Sequence, residues 1–148
     1  PNTPALVGEA VTAICPNANI TDGEKQEIVE LIASFGLAQI VSEKIMDAVI
    51  AVSGSSPAYV FMFIEAMADA AVAEGMPRRV QAYQFAAQSV LGSAKMVLET
   101  GKHPGELKDM VCSPSGTTIE AVKVLEEKGF RSSIIEAMSA CADKSRNM

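Results

Sequence analysis

Tryptophan is absent and aromatic residues make up only 5% of the chain, while alanine and methionine are plentiful. That mixture favours helices packed closely through small and flexible side chains over a β-sandwich. There is a single histidine, so a zinc site would lack ligands and a histidine-based nucleophilic triad would have to use His103. Neither an HExxH nor a GxSxG motif occurs, and no metal site is expected. The three cysteines (Cys15, Cys112 and Cys141) are odd in number, show no CxxC spacing, and read as ordinary thiols in a reducing compartment. Positive charge is scarce: 12 Lys and Arg face 18 Asp and Glu, for a net charge of −6. Nucleic-acid affinity rests on clustered cations, so a nucleic-acid partner is not expected. No apolar run reaches about 18 uninterrupted residues; the best stretch, 58–73, is broken by Glu65 and Asp69. No basic segment leads into an apolar one at the start. The expectation is a cytoplasmic protein with neither a membrane span nor a signal peptide. There is also no GxGxxG and no GxxxxGK, so these residues lack a recognisable phosphate cradle of their own.

A chain of 148 residues suits one compact domain, or one domain plus a remnant of another. The two prolines in residues 1–5 argue against a regular element there. Residues 9–15 carry Val11, Thr12 and Ile14 before Pro16 and read as a short strand. Thr21 to Glu24 has the form of a capping box and opens a helix whose Ile28, Leu31, Ile32 and Phe35 keep helical spacing up to Gly36. Residues 37–41 read as a second strand, giving 1–41 an α/β texture.

From Ser42 onward only helices are predicted. Ser42 is an N-cap candidate for a helix ended by the break at 53–57, from Ser53 to Pro57. The next helix, 57–74, is apolar nearly all round, with Met62, Met67 and Met76 expected in the core. A helix without a polar face must be covered on every side, and so few elements can hardly surround it. A second subunit is therefore expected to cover it. Gly75 ends this helix, and Pro77 is placed at the first position of the next, which runs over 78–100 to Gly101. Short helices over 103–112 and 118–128 follow, and Gly129 separates the last from a final helix that fades in a polar tail.

The strongest local pattern is Ser113 to Glu120. Thr117 with Glu120 reads as a capping box after a turn of small residues, where bare backbone N–H groups at a helix start attract an anion. A substrate carboxylate could sit there, against the hydroxyls of Ser113 and Thr118. The plainer reading is a well-capped helix after a turn. Glu65 and Asp69, four apart, could act as an acid/base pair or metal ligands, or as polar points in a subunit interface bonded to hydroxyls or to a cation such as Lys95. His103 is a proton-donor candidate or, more simply, a helix cap.

Read together, these segments resemble the pyrroline-5-carboxylate reductase family. The matching runs are Pro1 to Ala5, Ser53 to Tyr59, Glu65-Ala66, Asp69-Ala70, Gly75 to Arg78 and Gly92 to Met96. They continue with His103-Pro104, Leu107 to Asp109, Ser113 to Ile119 and Gly129 to Arg131. The resemblance covers the whole chain. It implies a mainly α fold: an interlocked helical dimerisation domain over 42–148, preceded by a short α/β remnant of a Rossmann-type nucleotide-binding domain over 1–41. The chain then looks like a C-terminal piece of the enzyme.

The activity implied is hydride transfer from NADPH or NADH to the small-molecule imine 1-pyrroline-5-carboxylate, giving L-proline. The cofactor would be bound mainly by a preceding domain, with Asn2 near the nicotinamide. The implied substrate-binding residues are Ser113, Gly116, Thr117 and Thr118, with the Thr118 hydroxyl on the ring nitrogen as the catalytic contact. The implied assembly is a homodimer, with or without further association of dimers, in which the turn faces the partner's nucleotide domain. One departure is Ser115, where the family usually has glycine; if that position needs φ > 0, serine is strained there. Outside the resemblance, the alternatives are a stand-alone helical interaction module and a carboxylate-dyad hydrolase using Glu65 and Asp69.

Overall fold

The computed structural model describes residues 1–148 and is mainly helical with one small parallel sheet. It divides into two compact units, Pro1–Val60 with Ile135–Met148, and Phe61–Ile134.

In the first unit, strand β1 (Ala10–Ile14) and strand β2 (Gly36–Ile40) pair in parallel, with Ala10 opposite Gly36 and Ile14 opposite Ile40. Parallel strands need a crossover, and helix α1 (Asp22–Ala33) supplies it. Helix α1 starts where the capping box places it: Thr21 Oγ1 accepts the Glu24 amide at 3.3 Å, and Glu24 accepts the Thr21 amide at 2.8 Å. It ends at Ala33, and Gly36 opens β2 rather than stopping the helix. A side chain at Gly36 would collide with the Ala10 carbonyl, so the strand pair needs glycine there. The two prolines at the start do not prevent regular structure. Thr3–Val7 forms a short 3-10 helix, because Pro4 sits in its first turn, where no N–H is required.

The break expected at 53–57 is a change of helical register. A 3-10 turn (Glu43–Ile45), in which Ser42 makes no side-chain cap, leads into helix α2 (Met46–Val49) and a π turn (Ile50–Gly54). Helix α3 (Ser56–Ala73) follows directly. Pro57 is the physical cause. It has no N–H to offer the Ser53 carbonyl four residues back. The Ser55 amide instead reaches the Ile50 carbonyl at 2.8 Å, and the Ser53 carbonyl accepts a hydrogen bond from Asn2 Nδ2 at 2.9 Å. Ser53 and Ser56 hydroxyls bond back to the Val49 and Val52 carbonyls at 2.9 and 2.7 Å. The result is 31 near-continuous helical residues, Glu43–Ala73, long and apolar enough by length and composition to cross a membrane. The end of helix α7 (Phe130–Arg146) closes this unit, with Cys141 Sγ 3.1 Å from Ser55 Oγ and Ser145 Oγ donating to Asp47 at 2.6 Å.

In the second unit, helix α4 (Arg79–Thr100) begins two residues after Pro77, with Arg78 as its extended N-cap, and ends on Gly101 in the left-handed conformation. Helix α5 (Pro104–Val111) and helix α6 (Thr117–Glu127) follow. Within the chain the cation paired with Asp69 is Arg79, while Lys95 pairs with Glu99 at 3.4 Å. Phe63 and Phe130 approach at 6.1 Å between ring centres.

Across both units the buried apolar residues are alanines apart from Leu107, and no large side chain is fully buried. Met62, expected in the core, is 69% exposed, and Leu98 is 81% exposed. Within α3 only Ala68 is buried. The small residues let backbones approach closely, and the bulky apolar ones are left outside.

Candidate functional site

The turn between α5 and α6 belongs to the second unit. Gly116 donates its N–H to the Ser113 carbonyl at 3.1 Å, closing a four-residue turn with Pro114 and Ser115 at its centre. Ser115 has φ 57 and is the sole non-glycine residue with positive φ. Proline followed by a left-handed residue is the pattern of a type II turn, which explains why glycine is the easier choice at 115. Gly116 is extended (φ −82°, ψ 169°) and caps α6, with no side chain bonded to the helix start. A side chain at Gly116 would collide with Ser113 Oγ, so the close seat of that hydroxyl depends on glycine.

The capping box expected from Thr117 and Glu120 does not form. The helix begins at Thr117 itself, one residue too early for Thr117 to cap it, and Glu120 turns to Lys123 at 3.0 Å. The amides of Thr117, Thr118 and Ile119 occupy the first turn, where no intrahelical carbonyl reaches them. They form a cluster of N–H donors at the positive end of the helix dipole. Ser113 and Thr117 are exposed, and Gly116 and Thr118 are half-buried. The turn thus gathers Ser113, Gly116, Thr117 and Thr118 around one group of donors suited to a small carboxylate.

Asn2 lies in the first unit. Its Oδ1 accepts the Val11 amide at 2.9 Å and its Nδ2 donates to Ser53. The side chain ties the edge of β1 to the π turn, leaving one N–H and one lone pair. Sequence reading missed this tie; the signal was Pro57, which frees the Ser53 carbonyl. Nearby, the Tyr59 hydroxyl is held above its ordinary range, chiefly through its hydrogen bond with Cys141.

Elsewhere, His103 is the N-cap of α5: its Nδ1 accepts the Gly105 N–H at 3.0 Å. The Glu65 side chain, on α3, makes no hydrogen bond or ion pair, and no three His, Cys, Asp or Glu side chains converge as metal ligands.

Taken together, the architecture is that of a mainly helical domain with uncovered apolar faces and a turn that leads into a helix start without a side-chain cap. Residues 43–148 match the model of the family described as pyrroline-5-carboxylate reductase dimerisation, and the chain belongs to that family. Over its whole length it is 63% identical to the pyrroline-5-carboxylate reductase of Escherichia coli, covering 55% of that protein. The corresponding protein of Methanosarcina acetivorans is 49% identical, with 54% of it covered. The chain therefore spans about half the length of these relatives. A crystal structure of the Plasmodium falciparum pyrroline carboxylate reductase with NADP bound superposes with a TM-score of 0.92 at 35% identity, covering 99% of this chain and 60% of that one.

Proposed function

We propose that this chain is the dimerisation and substrate-turn portion of a pyrroline-5-carboxylate reductase, which reduces 1-pyrroline-5-carboxylate to L-proline. The observation that carries this reading is the bare α6 start behind the Ser113–Gly116 turn. The substrate carboxylate lies against the Thr117 and Thr118 amides and the Ser113 hydroxyl. Because the Gly116 N–H already serves the Ser113 carbonyl, Gly116 contributes room rather than a donor. Thr118 Oγ1 holds the ring nitrogen and so orients the imine carbon.

A pyridine nucleotide, NADPH or NADH, supplies the hydride when bound. The sequence carries no glycine-rich phosphate turn, and Asn2, which keeps one N–H and one lone pair free, is the residue of this chain assigned to the nicotinamide. The nucleotide is therefore assigned mainly to residues outside 1–148, with 1–41 as the end of that domain and 42–148 as the helical domain. The start of the family match at residue 43 supports this division.

The partner is a second copy. Phe61, Met62, Phe85 and Leu98 lie in the open on α3 and α4, and the match to a dimerisation family favours a copy of the chain over a lipid as their cover. Sedimentation at micromolar concentration should return a dimer, while a folded monomer, or a chain that needs detergent to stay dispersed, would contradict this. The chain alone should not oxidise NADPH in the presence of the imine. In the longer reductase, Thr118→Ala should slow imine reduction; wild-type rates would remove Thr118 from the site.

A further inference from the structure

The histidine cap of α5 has a property that an Asn or Asp cap lacks. An imidazole nitrogen accepts a hydrogen bond only while it carries no proton. Since Nδ1 takes the Gly105 N–H at 3.0 Å, the capped state is the neutral ring with its proton on Nε2. Protonation removes that lone pair and also sets a cation against the positive end of the helix. Both effects act in the same direction.

The charged groups around the cap do not compensate. Lys102 and Glu106 pair with each other at 2.6 Å, and Glu99, in the last turn of α4, pairs with Lys95. Lys108 and Asp109 pair further along α5, and no carboxylate hydrogen-bonds the imidazole. Helix α5 has only eight residues, and a helix that short is marginal without its cap. Its last residue, Val111, stands two positions before Ser113.

We propose that His103 is a pH-sensitive cap: α5 is held while the imidazole is neutral and loosens as it protonates, slackening the segment that leads into the Ser113–Gly116 turn. The sign follows directly. The neutral ring can accept the Gly105 N–H and the protonated ring cannot, so the cap belongs to alkaline solution and is lost in acid. The inference concerns the order of α5 and holds whatever the turn binds.

The test is a pH titration of the isotopically labelled chain by NMR, following the Gly105 amide together with the His103 ring. The Gly105 amide proton should move upfield along the same curve as the ring. The protection of the Leu107 and Lys108 amides, corrected for the intrinsic pH dependence of exchange, should fall about fivefold across it, the effect of losing one N-cap. In His103→Asn, which caps without titrating, both changes should vanish while α5 remains formed. A Gly105 resonance that stays in place while the ring titrates would overturn the proposal, as would an unchanged transition in His103→Asn. The titration of the unaltered chain decides the matter even if the variant does not fold.

Discussion

Helix α1 begins with Thr21 and Glu24 folded over its first amides, whereas α6 begins on a glycine and leaves its first amides bare. Both starts carry the same pattern, threonine followed three residues later by glutamate. At α1 the threonine stands just outside the helix and its hydroxyl serves the Glu24 amide. At α6 the helix begins one residue earlier, on Thr117, because Gly116 continues extended out of the turn and takes the cap position. A shift of one residue converts a closed helix start into an open one. Closed starts contribute stability; open ones hold anions.

The comparison can be broken in several places. The largest effect is expected at Gly116. In the proposed full-length reductase, Gly116→Ala would displace the Ser113 hydroxyl, and kcat/KM for the imine should fall about 100-fold, the penalty for misplacing a substrate by roughly an ångström. An unchanged kcat/KM would show that the turn does not hold substrate. Thr118→Ala, which loses one hydrogen bond, should cost about tenfold in the same assay.

Stability separates the two starts more gently. Thr21→Ala should destabilise the fold by about 1 kcal/mol in chemical denaturation, whereas Thr117→Ala should stay within about 0.5 kcal/mol. Equal losses would mean that both starts are capped. Ser115→Gly should stabilise by about 1 kcal/mol, because glycine accepts the left-handed conformation without strain.

The smallest effect concerns acid. The Glu24 carboxyl lies below the usual carboxylate range, held there by the Thr21 backbone N–H and then its hydroxyl. Its support for α1 is therefore complete above the unfolded carboxylate value and is lost as pH falls through the depressed folded one. The Thr21 amide resonance, followed from neutral into acid, should report that loss.

The fold was legible where local chemistry dominates. The β1–α1–β2 run follows from β-branched residues, a capping box and the spacing of Ile28, Leu31 and Ile32. Each helix end that relies on Gly101 or Gly129 lies where the glycine stands. Two of the misreadings share a cause, which is that the decisive partner is distant in sequence or missing from it. Ser53 to Pro57 reads as a break because proline and serines usually end helices, yet here Asn2, 51 positions away, satisfies the carbonyl that Pro57 cannot. Met62 reads as core because apolar side chains seek cover, but nothing within the single chain covers it.

The candidate turn was legible as a cluster of residues, though the capping box inferred there does not form. Whether a threonine caps a helix or begins it depends on the preceding backbone, and that is set by the turn through Ser115.

The central claim is that the two helix starts differ in whether they are free to take a carboxylate. Titrating L-proline into the labelled protein and following its amides by NMR addresses this directly. Shifts at Thr117, Thr118 and Ile119, with Asp22, Gly23 and Glu24 unmoved, are the predicted result; shifts at neither start, or equally at both, would contradict it.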